Sequence, residues 1–549
     1  MGPRERILIP YTRRVDDMAH RLRKLFWSVL LITLAIFMGF AIAILPVNLI
    51  VIPAMPIVLL VLVALWMAPD IDPKLDRTFR YLFLAFLGTQ LVWPHYVALR
   101  TPGIGYVTPP RLVMFALVAV GLWMLATSAR IRGVLAGALN GAPVVKWAFI
   151  IFMALQVVLA VVTVSLSGRW FSFILFWYLV FLFAVVAFSY EDMPRRFATL
   201  ILLSVPVLTL FAWWEYQSLY KVWMAWIPPI LQGDPAIWNK IIEGMMRAGT
   251  TRYRASGLLM NSVTLGEFIA LVIPFIIHLA FDRFGGWKRW LAVPLVIVCV
   301  LGMHAAGSRT AYAGGLVGIG IYSMLVTWRN YNRTRKSTSL LGPAAVWAYP
   351  VAGLLAFLAV QFVGRVRRLV LGGAEHAPSD AGRDRQWEAT WQRVFENPFG
   401  HGPGSSGRVI GITNPDGSIT IDGWYMNLLL EFGVLGTVCY ILIFAGAVYA
   451  AGKVYLRAAT RDEELGAAFA ASMGAFLVTR YVLSLGENHP MMFSMAGLAV
   501  ALLWRQELRL RKTQGTAGKA EAESRSRRFP GGRPARPALA AARNGLSRA

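Results

Sequence analysis

The residues of this chain that could do chemistry are a few ionisable side chains next to long apolar runs. Arg254 and Asp422 each precede such a run, and Arg309 lies at the start of a third. Arginine keeps its charge and forms paired hydrogen bonds with phosphate oxygens, and a carboxylate can take a proton from an attacking hydroxyl. Two arginines and an aspartate at one membrane surface would therefore suit glycosyl transfer from a lipid pyrophosphate.

More polar residues accompany the same runs. Asn261 stands at the mouth of the run 262–281, where it would bind substrate or only satisfy backbone groups. Glu431 lies inside the run 424–451, about 13 Å deeper than Asp422 by helical rise. There it would hold helices together or contact substrate. Arg480, Glu487 and His489 are also expected at this surface, and His401 is expected to be a surface or interfacial histidine. Glu267, like Glu431, is expected to be a buried partner that holds helices together.

Each main candidate also has a simpler interpretation. Arg309 could be a headgroup anchor that snorkels from a helix end. Arg254 has Arg247 and Arg252 as neighbours, so it could belong to a generic basic loop. Asp422 could only cap a helix N-terminus, a position that favours an anion.

Composition indicates the class of protein that positions these residues. Hydrophobic residues make up 57% of 549 residues and charged residues 15%, against about 25% charged in a soluble domain. A polytopic membrane protein is therefore expected, and a soluble enzyme, a disordered scaffold and a disulfide-stapled domain are excluded. Cys299 and Cys439 fall in apolar runs, and no metal-ligand cluster, nucleotide-binding loop or nucleophile elbow occurs, so neither metal nor cofactor is predicted.

The apolar runs predict an all-α polytopic membrane protein with about 12–14 transmembrane helices. About 20 mostly apolar residues cross a bilayer. The candidate runs are 25–45, 48–68, 79–99, 112–128, 147–166, 170–190, 197–214, 262–281, 290–305, 308–327, 343–363, 424–451, 464–484 and 490–504.

Charge distribution predicts the orientation. The net charge of +26 lies mainly in short connectors and two terminal arms, which the positive-inside rule explains with lipid headgroups as the partner and no nucleic acid. Both termini are then cytoplasmic. The predicted organisation is a basic arm 1–24, a transmembrane bundle 25–214, an outer loop 215–261, helices 262–363, a large partly helical outer loop 364–423, helices 424–504 and a basic disordered tail 505–549.

The larger outer loop contains a predicted helix over 380–396, ended by Asn397 and Pro398. Trp387 and Trp391 lie one turn apart on one face of it. That spacing suits a helix that rests at the lipid interface.

Four segments in order resemble the O-antigen ligase and Wzy-type polymerase superfamily. They are RASGLLMNSVTLGEF (254–268), GSRTAYAGGLVGIG (307–320), GRDRQWEATWQRVFENPFGHGPGSSG (382–407) and DGWYMNLLLEFGVLG (422–436). The resemblance covers roughly residues 250–440.

The resemblance implies a membrane glycosyltransferase that uses an undecaprenyl-pyrophosphate-linked oligosaccharide and a glycan acceptor at the periplasmic face of the bacterial inner membrane. It implies that Arg254 and Arg309 hold the pyrophosphate, with Arg383 as a third candidate. Ligases of this family usually carry a histidine where this sequence has Asp422. That departure favours a polymerase of surface polysaccharide, with Asp422 assisting catalysis.

Two alternatives stay open at this point. One is an O-antigen ligase that transfers lipid-linked glycan to lipid A core or to another acceptor. The other is a secondary transporter or lipid flippase, for which intramembrane Glu267 and Glu431 are the supporting observations. A polymerase would further imply a polysaccharide chain-length regulator or export proteins as partners.

Overall fold

The computed structural model describes most of the chain between residues 70 and 528. The described residues are 70–71, 73–101, 105–163, 168–233, 235, 238, 241, 253–282, 286–334, 341–364, 377–412 and 421–528. The predicted arm 1–24, the first two predicted spans and the last part of the predicted tail, 529–549, lie outside the described residues.

Helices dominate the described residues, and the predicted class of all-α polytopic membrane protein is confirmed. The helices are α1 Asp76–Val92, α2 Pro109–Thr127, α3 Ala129–Gly141, α4 Pro143–Val162, α5 Gly168–Phe173, α6 Leu179–Ala187, α7 Met193–Ser218, α8 Ser262–Phe281, α9 Ala292–Ala306, α10 Arg309–Thr334, α11 Leu341–Phe362, α12 Ala377–Glu396, α13 Ser406–Ile410, α14 Trp424–Leu456, α15 Arg461–Glu464, α16 Gly466–Thr479 and α17 His489–Arg528. Short 3-10 helices cover Val222–Trp226, Pro229–Leu231 and Gly286–Leu291. Strands β1 Leu99–Thr101 and β2 Gly105–Val107 form an antiparallel hairpin.

Seven of the described helical segments are long and apolar enough to cross a membrane. They are Pro109–Thr127, Pro143–Val162, Met193–Ser218, Ser262–Phe281, Gly286–Ala306, Arg309–Arg333 and Trp424–Leu456. The predicted total of 12–14 spans includes segments outside the described residues and stays a prediction.

Two predicted segments differ from the structure. The run 170–190 is not one regular helix, because a π-helical turn, Ile174–Tyr178, separates α5 from α6. Residues 505–528, which were expected to be disordered for their basic, Ala- and Gly-rich composition, continue α17 as helix to Arg528. Ala, Glu, Lys and Arg are all good helix formers, which explains this continuation.

Small residues bring the central helices together. A Cβ on Gly266 of α8 would lie 2.9 Å from the Ser308 Cβ, and one on Gly314 of α10 would lie 2.6 Å from the Thr479 Cγ2. Glycine and alanine let helix backbones approach closely where a hydrophobic driving force between helices is absent. As a result, α8, α10 and α16 meet at the end of the bundle where the predicted site residues lie.

Candidate functional site

The turn between α9 and α10 brings the two predicted arginines together. Gly307 has φ +55° and ends α9 in the left-handed conformation, so that Arg309 becomes the first residue of α10. The Arg254 Nε donates to the Ala306 carbonyl at 3.2 Å. Both arginines are half-buried. Residues separated by more than fifty positions therefore lie at one helix–helix turn.

A buried ion pair holds the segment that carries Arg254. The Glu215 carboxylate accepts from the Gly257 amide at 2.7 Å and from the Ser256 amide at 3.2 Å. The Lys221 Nζ lies 3.6 Å from Glu215 and donates to the Gly257 carbonyl at 2.6 Å. Burial lowers the pKa of Lys221, and the Glu215 carboxylate opposes this shift. No sequence pattern indicates this pair, because its partners are backbone groups of a loop.

Asn261 caps α8. Its side-chain oxygen accepts from the Val263 amide at 2.7 Å, and its backbone is extended as a helix N-cap requires. This contact matches the simpler interpretation of the residue. Substrate binding by Asn261 stays a prediction.

The most deeply buried charges of the site are Glu267 of α8 and Arg480 after α16. Neither side chain has exposed surface. The Arg480 Nε donates to the Glu267 Oε1 at 2.9 Å, the Arg480 Nη2 contacts Oε2, and the Asn488 side chain donates to Oε2 at 2.8 Å. The Thr479 hydroxyl donates to Oε1 at 2.6 Å. A buried ion pair needs such a complete set of hydrogen bonds to offset its desolvation.

The backbone at Arg480 places Asp422. The Trp424 amide donates to the Arg480 carbonyl at 3.0 Å. A Cβ on Gly423 would lie 2.8 Å from the Tyr481 carbonyl, so this close approach requires glycine. The Asp422 amide donates to the Gln386 Oε1 at 2.9 Å. Asp422 is half-buried and lies two residues before α14, whose N-cap is Gly423.

Helix α12 carries Arg383 one turn before Gln386, and it packs on protein. The predicted helix over 380–396 is confirmed, but Trp387 does not rest only at a lipid interface. Its ring stacks on Tyr481 at 5.4 Å and packs on a buried cluster formed by Ile410, Ile421, Met426 and Leu430. Trp391 is 44% exposed and Phe395 81% exposed. The exposed apolar face thus begins one turn later than predicted.

Glu431 lies where α14 breaks. Gly433 has φ +65°, and a Cβ there would collide with the Pro398 carbonyl. The loop amides of His401 and Gly402 donate to the carbonyls of Leu430 and Glu431, both at 2.9 Å. They satisfy carbonyls that the break leaves without helical partners.

The Glu431 side chain joins the same loop to the helix. Its Oε1 accepts from the Ser406 hydroxyl at 2.8 Å, and the residue is 1% exposed. These contacts agree with the expected role in holding elements together. Substrate binding by Glu431 stays a prediction.

His489, expected at the surface, is fully buried. Its Nε2 lies 2.8 Å from the Tyr440 hydroxyl, and its ring stacks on Trp177 at 4.7 Å. Aromatic residues from α14 and the π-helical turn instead cover this histidine, which periodicity along one helix cannot reveal.

A cavity of about 760 Å³ adjoins the predicted residues. Its walls come mainly from segments within 90–111, 172–177, 404–407, 421–427 and 484–490. None of Asp422, Arg309, Arg254, Arg383, Asn261 and Glu431 lines it, although Ile421 and Met260, the chain neighbours of Asp422 and Asn261, do. Among the described residues, no group of three or more His, Cys, Asp or Glu is arranged to hold a metal ion.

Comparison with known proteins identifies part of the chain. Residues 294–441 match a family model described as O-Antigen ligase. The matched segment contains Arg309, Arg383, Asp422 and Glu431, whereas Arg254 and Asn261 precede it. No curated protein matches the chain.

Proposed function

We propose, from the membership of residues 294–441 in the O-antigen ligase family, that this multi-pass membrane protein is a glycosyltransferase of surface polysaccharide assembly. It polymerises undecaprenyl-pyrophosphate-linked repeat units at the periplasmic face of the inner membrane. The observation that carries the proposal is the bond from Arg254 to the Ala306 carbonyl, at the α9–α10 turn that Arg309 follows. Two guanidinium groups at one turn suit the clamping of a pyrophosphate.

The proposed reaction replaces one C–O bond by another. A sugar hydroxyl of a second lipid-linked unit attacks the anomeric carbon, and its proton passes to the Asp422 carboxylate. The bond between the anomeric carbon and the pyrophosphate breaks, and the electron pair leaves with undecaprenyl pyrophosphate. Arg309, Arg254 and Arg383 stabilise the negative charge that develops on this leaving group.

The Glu267–Arg480 pair supports the proposed site as a positioning element. It lies between Gly266, which packs on Ser308 beside Arg309, and Trp424, whose amide bonds the Arg480 carbonyl. Arg480 is itself saturated with protein partners, so we assign it no substrate contact. Its function is to hold the starts of α10 and α14 in register.

The basic connectors support the proposed orientation. Arg195 at the start of α7 bonds Asp462 at 2.9 Å, and Arg329 near the end of α10 lies 3.4 Å from Glu464. These helix ends are opposite to the ends that carry Lys221 and Arg309. We therefore propose that the connectors and both termini are cytoplasmic and that the site faces the periplasm.

The departure from histidine at Asp422 favours a polymerase over a ligase. The transporter alternative is weakened, because Glu267 and Glu431 bond fixed partners, Arg480 and Ser406. A polymerase of this kind would work with a chain-length regulator or export proteins.

Incubation of purified protein with a defined lipid-linked repeat unit tests the proposal. We expect longer glycans that remain attached to the carrier lipid. Transfer only to added lipid A core would instead identify a ligase. Movement of the lipid-linked unit across a proteoliposome membrane without any new glycosidic bond would identify a flippase and overturn the proposal.

A further inference from the structure

The cavity of about 760 Å³ has the dimensions of a small-molecule site. The end of α1 and the following β-hairpin form one side, and the segment between α16 and α17 forms another. The π-helical turn and the start of α14 contribute further walls. These elements are held by the contacts already described, so the cavity is largely pre-formed.

Two buried polar atoms on its walls have no hydrogen-bond partner among the described residues. They are the Gln90 Oε1 and the Trp424 Nε1. Gln90 is 7% exposed and Trp424 3% exposed. Buried donors and acceptors are nearly always satisfied in native proteins. One acceptor and one donor on the walls of one cavity indicate a ligand that both gives and receives hydrogen bonds.

Neighbouring contacts fix these atoms. The Gln90 Nε2 lies 3.1 Å from the His95 Nε2, which orients the amide so that its oxygen stays available. Helix α14 begins at Trp424, whose amide is anchored to the Arg480 carbonyl. The two groups are thus positioned by the protein before any ligand arrives.

The charge around the cavity does not suit a pyrophosphate. Glu487 places a carboxylate on the wall, and Arg111, which bonds the Tyr106 carbonyl, is the arginine that lines it. Burial raises the pKa of Glu487 to about 7, and hydrogen bonds from the Met260 amide and the Thr264 hydroxyl oppose this shift.

Aromatic side chains complete the lining. Phe173, Phe176, Trp177 and Tyr106 line the cavity together with Trp424. Such apolar walls with a few convergent polar groups suit the C–H faces and hydroxyl groups of a sugar ring. An uncharged saccharide is therefore the class of ligand that matches both the polar atoms and the walls.

We infer that this cavity is a saccharide-binding subsite for the acceptor glycan, in which Gln90 accepts a hydrogen bond from a sugar hydroxyl and Trp424 donates one to a sugar oxygen. The role as acceptor subsite rests on the proposed glycosyl transfer. Ile421 and Met260 line the cavity directly beside Asp422 and Asn261 in the chain. The cavity therefore lies beside the chain segment that carries Asp422, the residue proposed to take the proton.

The reaction rate of a cysteine introduced into the cavity wall reports whether a ligand occupies the cavity, and it does not depend on catalysis. Cys299 and Cys439 are the two native cysteines and both are buried. They are replaced by alanine, and Ser484→Cys adds a reactive thiol to the cavity lining. We expect oligosaccharide fragments of the cell's own surface polysaccharides to slow its reaction with a methanethiosulfonate reagent at least fivefold. Inorganic pyrophosphate should leave the rate unchanged.

Variants of the polar atoms assign the effect to the cavity. Gln90→Leu and Trp424→Phe, which removes the indole N–H and keeps an aromatic ring, should each raise the saccharide concentration for half-protection about tenfold or more. Gln156→Leu is the matched control, since Gln156 of α4 is also a buried glutamine but does not line the cavity. Saccharide should protect the thiol of this variant as well as it protects the thiol of the parent.

The outcomes separate this inference from the proposed function. No protection by any saccharide fragment, or protection by pyrophosphate instead, overturns the subsite. If Gln156→Leu lost as much saccharide protection as the cavity variants, the effect would reflect general disruption of the fold, and the subsite would also be overturned. If saccharide protects the thiol but the protein forms no glycosidic bond, the saccharide site is supported and only the proposed glycosyltransferase function is overturned. Arg309→Ala should abolish glycan extension and keep the protection.

Discussion

Glu267 and Arg480 pair at one end of the helix bundle with no exposed surface, whereas Arg130 and Asp76 pair at the other end with side chains 44% and 31% exposed. We call these the site end and the connector end. The buried pair is enclosed by Thr479 and Asn488 hydrogen bonds. Water screens the exposed pair. The same kind of ion pair is therefore expected to affect stability differently at the two ends.

This difference in burial indicates which end of the helix bundle is rigid. A buried carboxylate and guanidinium tolerate only one arrangement, because any displacement leaves a charge without compensation. Exposed pairs contribute roughly 0 to 1 kcal/mol and tolerate rearrangement. The fixed pair lies beneath the proposed site, where a pyrophosphate clamp needs side chains in set positions.

The largest effect is expected at the buried pair. Glu267→Ala leaves the Arg480 charge buried without its carboxylate, which costs about 3 to 5 kcal/mol. We expect a strongly lowered thermal unfolding midpoint in detergent and loss of glycan extension. The double variant Glu267→Leu with Arg480→Met should recover most of the midpoint, because no charge then remains to be compensated. A single variant as stable as the parent would contradict the comparison between the two ends.

Substitution of Arg309 at the α9–α10 turn is expected to abolish catalysis without a loss of stability. Arg309→Ala should abolish glycan extension at unchanged membrane abundance, and Arg309→Lys should also be impaired, because a point charge lacks the paired geometry of guanidinium. Arg333→Ala, at the exposed connector end of the same helix, is the control and should extend glycans normally. Full activity of Arg309→Ala would remove this residue from the mechanism.

A similar loss is expected at the start of α14. Asp422→Ala and Asp422→Asn should both abolish extension in the same assay, because neither side chain can take the proton of the attacking hydroxyl. Asp384→Ala, on the exposed surface of α12, provides the matched acidic control. Retained extension by Asp422→Asn would exclude a proton-accepting role.

A smaller effect on stability is expected at the break in α14. Gly433→Ala forces a side chain into a left-handed position against the Pro398 carbonyl, at a cost of about 1 to 3 kcal/mol. The loop 397–412 should become more sensitive to protease while the rest of the chain stays resistant. Gly353→Ala in α11, where a Cβ meets nothing within 4 Å, should leave cleavage unchanged. Identical cleavage in both variants would show that the loop does not depend on this break.

The smallest effect is expected at the connector end. Arg130→Ala removes an exposed partner of Asp76, and Asp76 keeps the Tyr190 hydroxyl as a donor at 2.6 Å. The loss should be under about 1 kcal/mol and should shrink further at high salt. The same unfolding assay applies. A loss as large as that in Glu267→Ala would erase the distinction between the ends.

Sequence reasoning recovered the class of fold, the helix over 380–396 and the α8 segment, because apolar length and periodicity are local properties. It also selected Arg480 and Glu267 as unusual charges. It did not pair them, since they are separated by 213 positions. It missed the Glu215–Lys221 pair and the cavity around Gln90 and Glu487, whose partners come from distant segments and backbone groups.

The sequence by itself determined that this chain lies in a membrane, that its fold is largely helical and which motifs resemble the ligase and polymerase superfamily. Those properties follow from side-chain hydrophobicity and residue order. Only the tertiary structure decided that Arg254 meets the α9–α10 turn, that Glu431 faces Ser406 and that His489 is buried. Burial and hydrogen bonding depend on which distant segments approach, and local patterns do not encode that approach.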